Sequence, residues 1–210
     1  MEQNKNNIEN KAGEEVYYGV GSFLWEVAKV FLWALVIIMP IRVFLFQPFF
    51  VQGASMEPNF NDGDYLIINE FGYKQTDVKL GDVDFFNVGS FKEFQRGDVI
   101  VFRYPKNPSQ FFIKRVIGLP GEQVKVENGK VTIYNKENPQ GFVMDEKQYL
   151  PAGLVTNGAV ERKLSEDEYF VMGDNRQFSH DSRAWGAVNK DKIVGRVLLR
   201  AWPLSKANVF

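Results

Sequence analysis

The chain has 210 residues, which suits one ordinary domain with an appendage, and its content of 45% hydrophobic and 24% charged residues is that of a chain with a packed core rather than an extensively disordered one. Its formal net charge of −1 gives no sign of a binding surface for nucleic acid. Because it has no cysteine and a single histidine, His180, the sequence excludes a thiol nucleophile, a disulfide framework, a cysteine zinc site and a multi-histidine metal site.

The first two predicted elements are a polar tail and an apolar helix. Residues 1–22 are rich in Asn and Glu and are expected to form a poorly ordered cytoplasmic tail. The apolar stretch 23–41 would form a helix about 28 Å long, nearly the thickness of a bilayer core. Its longest uninterrupted apolar run has only 12 residues, which leaves open a cleaved signal peptide, although no convincing cleavage site follows. We predict a single transmembrane anchor over residues 23–45, with Glu26 and Lys29 placed to pair one turn apart.

Beyond the anchor, the chain changes to short strands separated by turn residues. Seven runs rich in β-branched and aromatic residues are bounded by glycine, proline, asparagine or aspartate. Two of these runs flank Asn128 and Gly129, the typical pair for a type I′ turn, which predicts a β-hairpin. We therefore predict a mostly β domain with no long amphipathic helix. The predicted strands are 65–68, 98–102, 111–113, 123–126, 130–134, 169–172 and 193–199.

The first candidate for chemistry is a serine in an open turn. Ser55 lies in the sequence GASMEP, residues 53–58, between small residues and a proline turn. Its hydroxyl and its backbone N–H could therefore both face a substrate. By itself the pattern is weak, because a serine beside a proline is an ordinary turn residue.

The second candidate is a pair of cations inside an apolar, β-like run. Lys114 and Arg115 interrupt the sequence IKRVIGLPG, residues 113–121. Neighbouring side chains of a strand point to opposite faces, so one cation should point inward unless the strand lies at an edge. An edge strand with two solvated cations is the simpler interpretation. A buried lysine would instead have a lowered pKa, which is what a lysine base requires.

The third candidate is a dense polar segment, residues 173–186, directly after a predicted strand. Its two aspartates and two arginines can form ion pairs that fix the shape of a loop. A solvated turn would have a similar composition, and the spacing does not fit an EF-hand calcium site. The four charged residues are Asp174, Arg176, Asp181 and Arg183.

The order of these motifs resembles that of the conserved boxes of bacterial type I signal peptidases, the serine proteases of peptidase family S26. The chain has Ser-x-x-Pro after an apolar anchor, GDVIVF at 97–102, KRVIGLPG at 114–121, and GDNR followed by SxDSR within 173–183. The resemblance covers most of residues 24–200, with looser matches in the middle of the chain.

The resemblance implies a fold, a function and a location. The fold would be an antiparallel β-sheet catalytic domain, residues 46–210, with an inserted cap at 122–168. The function would be removal of signal peptides from exported preproteins, with cleavage after small residues. The protein would be a single-pass protein of the cell membrane with its catalytic domain on the extracytoplasmic side. Its partners would be preprotein signal peptides, the lipid bilayer and the secretion translocon, and no nucleic acid.

The resemblance also implies roles for individual residues. Ser55 would be the nucleophile and Lys114 its general base, a known variant of the serine-protease arrangement, and no metal or cofactor would take part. The backbone N–H of Ser55 would bind the oxyanion, and Ser179 would orient the lysine. Three further residues would hold the shape of the site: Asp174, Asp181 and Arg183.

Two positions depart from the common family pattern. Some members have a serine two residues before the nucleophile, whose hydroxyl adds to the oxyanion site; this chain has Gly53, as relatives from Gram-positive bacteria often do. The family commonly has threonine after Met-x-Pro, whereas this chain has Asn59, which affects the local turn rather than the chemistry. A triad of Ser55, His180 and an aspartate is an alternative that we disfavour, because the position of His180 is variable in the family.

Other functions fit parts of the pattern. Self-cleaving repressor-type proteins use a Ser-Lys pair on a related fold, but they carry a DNA-binding helix-turn-helix where this chain has an apolar segment. A non-catalytic, membrane-anchored factor for surface-protein assembly would need neither Ser55 nor Lys114, and both are present. A peptidase dedicated to one partner, such as a pilus subunit, also fits the sequence.

The segment between the anchor and Ser55 is more apolar than a solvated linker. Residues 43–51 include four phenylalanines, two valines and a leucine. They could form a first strand of the core. They could also rest on the bilayer, and we expect that this would keep Ser55 near the membrane surface, where signal peptides end.

Overall fold

The computed structural model describes residues 19–44, 46–73, 76–80 and 83–210, and the chain divides into two compact units, Met1–Pro40 and Ile41–Phe210. The first described element is helix α1, Val20–Phe44, whose segment Val20–Ile38 is long and apolar enough to cross a membrane. The predicted pair is confirmed, since Lys29 Nζ lies 2.7 Å from Glu26 Oε1. Most of the predicted tail lies outside the described residues, and the helix begins within the predicted tail.

Antiparallel strands make up most of the second unit, as the sequence predicted. In chain order the strands of the described residues are β1 (Phe46–Phe50), β2 (Tyr65–Asn69), β3 (Thr76–Leu80), β4 (Val83–Val88), β5 (Val99–Tyr104), β6 (Asn107–Gly118), β7 (Gln123–Glu127), β8 (Lys130–Tyr134), β9 (Phe142–Val143), β10 (Val160–Lys163), β11 (Glu168–Met172), β12 (Val188–Asn189), β13 (Ile193–Trp202) and β14 (Asn208–Val209). A short helix, α2 (Ser182–Trp185), follows β11. The largest sheet has eight strands in the order β1-β2-β13-β5-β6-β11-β12, with β14 paired to β13.

Two smaller sheets accompany the large one. One has four strands in the order β10-β7-β8-β9, and the other is the hairpin of β3 and β4. Asn128 and Gly129 have φ angles of 53° and 78°, as a type I′ turn requires, which confirms the predicted hairpin of β7 and β8. The four-stranded sheet lies within residues 122–168, and the role of this segment as a cap stays a prediction.

Buried apolar side chains fasten the four-stranded sheet to the large sheet. Ile117 of β6 and Phe170 of β11 share one core cluster with Val124 of β7 and Val131 of β8. All four side chains are essentially inaccessible to solvent, and burying side chains of this size stabilises the packing by about 1.5–3 kcal/mol each. The two sheets therefore pack together at β6, the strand that also carries Lys114.

Candidate active site

Ser55 and Lys114, which are 59 positions apart in the sequence, meet in the second unit. Lys114 Nζ lies 2.6 Å from Ser55 Oγ and also donates to the backbone carbonyl of Ile113 at 2.7 Å. Ser55 stands in the loop between β1 and β2, and Lys114 lies near the end of β6, opposite Ile100 of β5. The pairing of β6 with β5 therefore places Lys114 beside Ser55.

The environment of Lys114 favours its neutral form. Only 4% of the residue is exposed, and burial lowers the pKa of its ammonium from the usual 10.5 to about 8, against the opposing charges of Asp181 and Asp174. At pH 7 a group with this pKa is neutral in about one molecule in ten, whereas an unshifted lysine would be neutral in fewer than one in a thousand. The fold thus supplies a lysine that can act as a base near neutral pH.

The neighbouring cation, Arg115, points to the other face of β6 and is paired. Its guanidinium makes a bidentate contact with Asp174, with Nε at 2.7 Å from Oδ1 and Nη2 at 2.5 Å from Oδ2. The interpretation of an edge strand with two solvated cations is therefore wrong, because β6 is paired on both sides, with β5 and with β11. Pairing on both sides is what buries the lysine.

The polar segment after β11 folds over the serine and is held by Asp181. This carboxylate accepts hydrogen bonds from Gly173 N at 3.0 Å and from Arg183 Nε and Nη2, each at 2.8 Å. Burial raises the pKa of the Asp181 carboxyl, but the hydrogen bonds and charge of Arg183 and the bond from Gly173 outweigh this effect and hold the pKa below its usual value. Asp181 also caps helix α2. The ion pair thus fixes both ends of the loop.

Ser179 lies close to Gly173 and to the loop that carries Ser55. A Cβ at Gly173 would be 2.2 Å from Ser179 Oγ and 2.3 Å from the carbonyl oxygen of Ser55, so only glycine fits there. The Ser179 hydroxyl is buried and has no hydrogen-bond partner by distance and angle among the described residues, although it is near enough to Asp181 to help lower the pKa of that carboxyl. Its predicted role in orienting Lys114 stays a prediction.

Two asparagines outside the predicted set of site residues hold this region. Asn175 donates from its backbone N–H to Ser55 O at 3.1 Å and from Nδ2 to Ala54 O at 3.0 Å. Asn59 donates from Nδ2 to Asp174 Oδ2 at 2.8 Å. Asn175 belongs to the GDNR motif and could have been selected on that ground, whereas nothing in the local sequence indicates the partner of Asn59.

A buried arginine joins the polar segment 173–186, which we call the catalytic loop, to the residues that follow β9. Arg176 is fully buried and donates to Gly173 O at 3.1 Å and to Thr156 Oγ1 at 2.5 Å. It also makes a two-pronged ion pair with Glu146, in which Nη1 lies 2.8 Å from Oε2. The sequence indicated that Arg176 could form an ion pair but not that its partner would lie 30 positions away.

An open cleft of about 720 Å³ lies over Ser55 and Lys114. It is bordered by residues from the end of β1 and the loop that follows, and by residues of β6. His180 lies at its rim, where Nε2 is 3.2 Å from Tyr104 Oη. Ser55 Oγ is hydrogen-bonded to Lys114, and the His180 ring is hydrogen-bonded to Tyr104. This geometry disfavours the alternative triad of Ser55, His180 and an aspartate.

A serine hydroxyl bonded to a buried lysine in an antiparallel β domain is the arrangement of a Ser-Lys serine hydrolase. The family model described as signal peptidase, peptidase S26, matches residues 24–202. A probable signal peptidase I-2 of Synechocystis sp. is 32% identical, with 88% of this chain and 76% of the relative covered. The chain belongs to this signal peptidase family, S26, and is a serine endopeptidase.

Two further signal peptidases agree with this assignment. Signal peptidase I of Pseudomonas fluorescens is 33% identical over 87% of this chain and 75% of its own length. Signal peptidase IB of Staphylococcus aureus is 30% identical over 82% of this chain and 86% of its own length. A crystal structure of a signal peptidase I from Enterococcus faecalis V583 is 31% identical, covers 51% of this chain and 98% of its own, and superposes with a TM-score of 0.41.

Proposed function

We propose that this protein removes signal peptides from exported preproteins, with Ser55 as nucleophile and Lys114 as general base. The observation that supports these roles most directly is the 2.6 Å contact between Lys114 Nζ and Ser55 Oγ, made by a lysine whose pKa is lowered to about 8. A serine hydroxyl becomes an efficient nucleophile only when a positioned base takes its proton. The neutral amine of Lys114 is placed to do this.

The proposed reaction has two stages. In the first, Ser55 Oγ attacks the scissile carbonyl while its proton passes to the amine of Lys114, and the resulting ammonium then gives that proton to the leaving amine. In the second, neutral Lys114 takes a proton from a water molecule as that water attacks the acyl-enzyme. The ammonium then returns the proton to Ser55 Oγ as the bond to the signal peptide breaks. Both stages need a lysine that changes its protonation state readily, which the lowered pKa supports.

We propose that the backbone N–H of Ser55 binds the oxyanion that develops in both stages. Within the described part of the chain, this N–H donates no hydrogen bond, so it is free to bind a ligand. The nearby N–H of Gly53 is already used, because it donates to Asp62 Oδ1 at 2.7 Å. An N–H aimed at the developing charge stabilises the transition state more than the ground state.

Four residues are proposed to support the dyad. The ion pair of Asp181 with Arg183, and the pair that Asp174 forms with Arg115, would hold the catalytic loop and β6 in register. Ser179, whose hydroxyl is buried next to Gly173 and Ser55, would turn toward the ammonium of Lys114 when the lysine is protonated. The supporting residues are Ser179, Asp174, Asp181 and Arg183.

Residues 122–168 are proposed to act as a cap that braces the catalytic loop. Glu146 pairs with buried Arg176, the ring of Tyr149 lies 4.1 Å from the guanidinium carbon of Arg115, and Asn59 donates to Tyr149 O at 2.7 Å. These contacts come from the strand-poor part of the segment, after β9. The cap would thereby limit the movement of the residues that position Ser55.

We propose that helix α1 anchors the protein in the cell membrane, that residues 1–22 face the cytoplasm, and that residues 46–210 work on the extracytoplasmic side beside the secretion translocon. Exported preproteins reach their cleavage site there. An aromatic surface supports contact between the second unit and lipid: Phe50 and Trp202 are 66% and 57% exposed, and both flank Tyr65 across paired strands. Aromatic side chains favour the interfacial region of a bilayer.

The membrane hypothesis has its own test. Replacing the anchor with a soluble tag should lower cleavage of preproteins embedded in lipid more than cleavage of short peptides in solution. Equal losses on both substrates would contradict a role for the membrane in presenting the substrate.

The test of the proposed function is cleavage of a preprotein with an Ala-x-Ala signal site by the detergent-solubilised protein. Ser55→Ala and Lys114→Ala should each abolish cleavage, and His180→Ala should remain active. If only His180→Ala is inactive, the proposed mechanism is wrong. If the wild-type protein does not cleave preproteins with an Ala-x-Ala signal site, a peptidase dedicated to one substrate or a non-catalytic assembly factor becomes the better proposal.

A further inference from the structure

The peptide group that joins Ala54 to Ser55 carries the proposed oxyanion donor at one end and a carbonyl at the other. This peptide is trans, so its N–H and its C=O point in opposite directions within one rigid plane. Whatever holds the carbonyl of Ala54 therefore also sets the direction of the Ser55 N–H. The partners of that carbonyl decide whether the donor faces the cleft.

Asn175 holds this carbonyl from the side. Its Nδ2 donates to Ala54 O at 3.0 Å, and the carbonyl oxygen also accepts from Glu57 N at 3.2 Å. Because a carbonyl can only accept, the side chain of Asn175 must present its NH₂ group here. A second bond, from the backbone N–H of Asn175 to Ser55 O at 3.1 Å, holds the next peptide as well.

The chain on the N-terminal side of this peptide supports it only indirectly. Gly53 has a φ of +83° and its N–H donates to Asp62 Oδ1 at 2.7 Å, but this bond restrains the peptide before Gly53 and not the one after Ala54. Gly53 and Ala54 are both exposed, and a Cβ built on Gly53 would meet no atom within 4 Å. Of the two donors to Ala54 O, Glu57 N lies in the same turn, so Asn175 supplies the restraint from outside that turn.

We infer that Asn175 is a positioning residue for the oxyanion site: its side-chain amide fixes the Ala54–Ser55 peptide so that the Ser55 N–H points at the substrate carbonyl. The bond to Ala54 O also polarises the peptide group, which strengthens its N–H as a donor. This inference rests on the proposed function, because it assigns a task only if Ser55 is the nucleophile. It does not involve the base, since Asn175 makes no hydrogen bond to Lys114 in the described part of the chain.

The test separates transition-state binding from substrate binding. Asn175→Ala removes the bond to Ala54 O but keeps the backbone bond to Ser55 O. Losing an oxyanion donor costs about 100- to 1,000-fold in kcat, so a donor that is only misdirected should cost about 10- to 100-fold, with KM for a signal-site peptide unchanged. The affinity for a peptide aldehyde, whose adduct with Ser55 needs the same N–H, should fall by the same factor.

Two further variants keep the test decisive. In Asn175→Ser the side chain is small and polar and cannot reach Ala54 O. If Asn175→Ala does not fold, Asn175→Ser takes its place and should show the same loss of kcat and of aldehyde affinity. Gln177→Ala removes a second amide from the same loop; it is exposed, it has no hydrogen bond within the described residues, and it should leave kcat and aldehyde affinity unchanged. The pH at which kcat/KM rises should be the same in all variants, because the lysine is untouched.

The outcomes distinguish this inference from the proposed function. If wild type cleaves the peptide, Ser55→Ala does not, and both Asn175 variants keep the wild-type kcat, the inference is overturned while the function stands. A rise in KM alone, or a shifted pH profile, would also overturn it, because either would point to substrate binding or to the base. If Ser55→Ala still forms the aldehyde adduct, the proposed function itself fails.

Discussion

Replacing the buried Lys114 with methionine should leave the protein at least as stable as the wild type at pH 7, although it removes the proposed base. Lowering the lysine pKa from 10.5 to about 8 costs the folded state about 3 kcal/mol at pH 7. Methionine has a similar length and no charge to desolvate. The substitution also deletes the hydrogen bonds to Ser55 and to the Ile113 carbonyl, which contribute about 1 kcal/mol each. The expected net gain is about 1 kcal/mol.

The pH dependence of this difference is the sharper part of the prediction. Between pH 8 and pH 10.5 the unfolded chain binds a proton at Lys114 that the folded protein does not bind, so wild-type stability rises with pH relative to the variant. The cost of burying the lysine falls to about 1 kcal/mol at pH 9.5. The advantage of Lys114→Met should therefore decrease by about 2 kcal/mol between pH 7 and pH 9.5.

Urea unfolding of the full chain in detergent, followed by tryptophan fluorescence at both pH values, would measure this difference. Lys106→Met provides the matched control, because Lys106 is exposed and its ammonium stays in water in both states. Its effect on stability should not change with pH. A Lys114→Met effect that is the same at pH 7 and pH 9.5 would refute the reasoning, since it would mean that the lysine is charged in the folded protein at both.

Two other substitutions test the packing of the site. Gly173→Ala should reduce kcat by about 100-fold, because its Cβ would lie 2.2 Å from Ser179 Oγ and 2.3 Å from Ser55 O and would displace the loop that carries the nucleophile. Gly89→Ala, whose Cβ meets no atom within 4 Å, is the control in the same peptide-cleavage assay. Glu146→Gln should lower the free energy of unfolding by about 3 kcal/mol, because it leaves the fully buried guanidinium of Arg176 without its counter-charge. Urea denaturation measures the second effect, and an unchanged stability would show that the ion pair does not brace the loop.

The loop that carries the nucleophile is held mainly by groups outside the dyad. The carbonyl oxygens of Ala54 and Ser55 accept hydrogen bonds from Asn175. The close contact between Gly173 and Ser55 O fixes the distance between this loop and the segment after β11. Lys114, by contrast, is positioned by its strand, since β6 is paired on both sides. Substitutions in the loop network should therefore change kcat through the serine, whereas substitutions along β6 should change the pH profile through the lysine.

Local sequence was sufficient for the helix, for seven of the fourteen strands in the described residues, and for the candidates themselves. The apolar stretch at the start predicted a helix, Asn128 and Gly129 predicted the hairpin of β7 and β8, and the seven predicted strands all overlap observed ones. These features depend on hydrophobic periodicity, turn preference and residue type, which a few neighbouring residues determine. The motif order identified Ser55 and Lys114 through a resemblance, not through a calculation of distance.

Only the tertiary structure decided what these residues contact. Alternation along β6 could not tell whether Lys114 or Arg115 points inward, nor whether the strand lies at an edge; pairing with both β5 and β11 settled both points and buried the lysine. The pairing of Glu146 with Arg176 depends on how two distant segments pack. A pKa shift depends on burial and on charges brought together from separate parts of the chain, and the local sequence does not specify either.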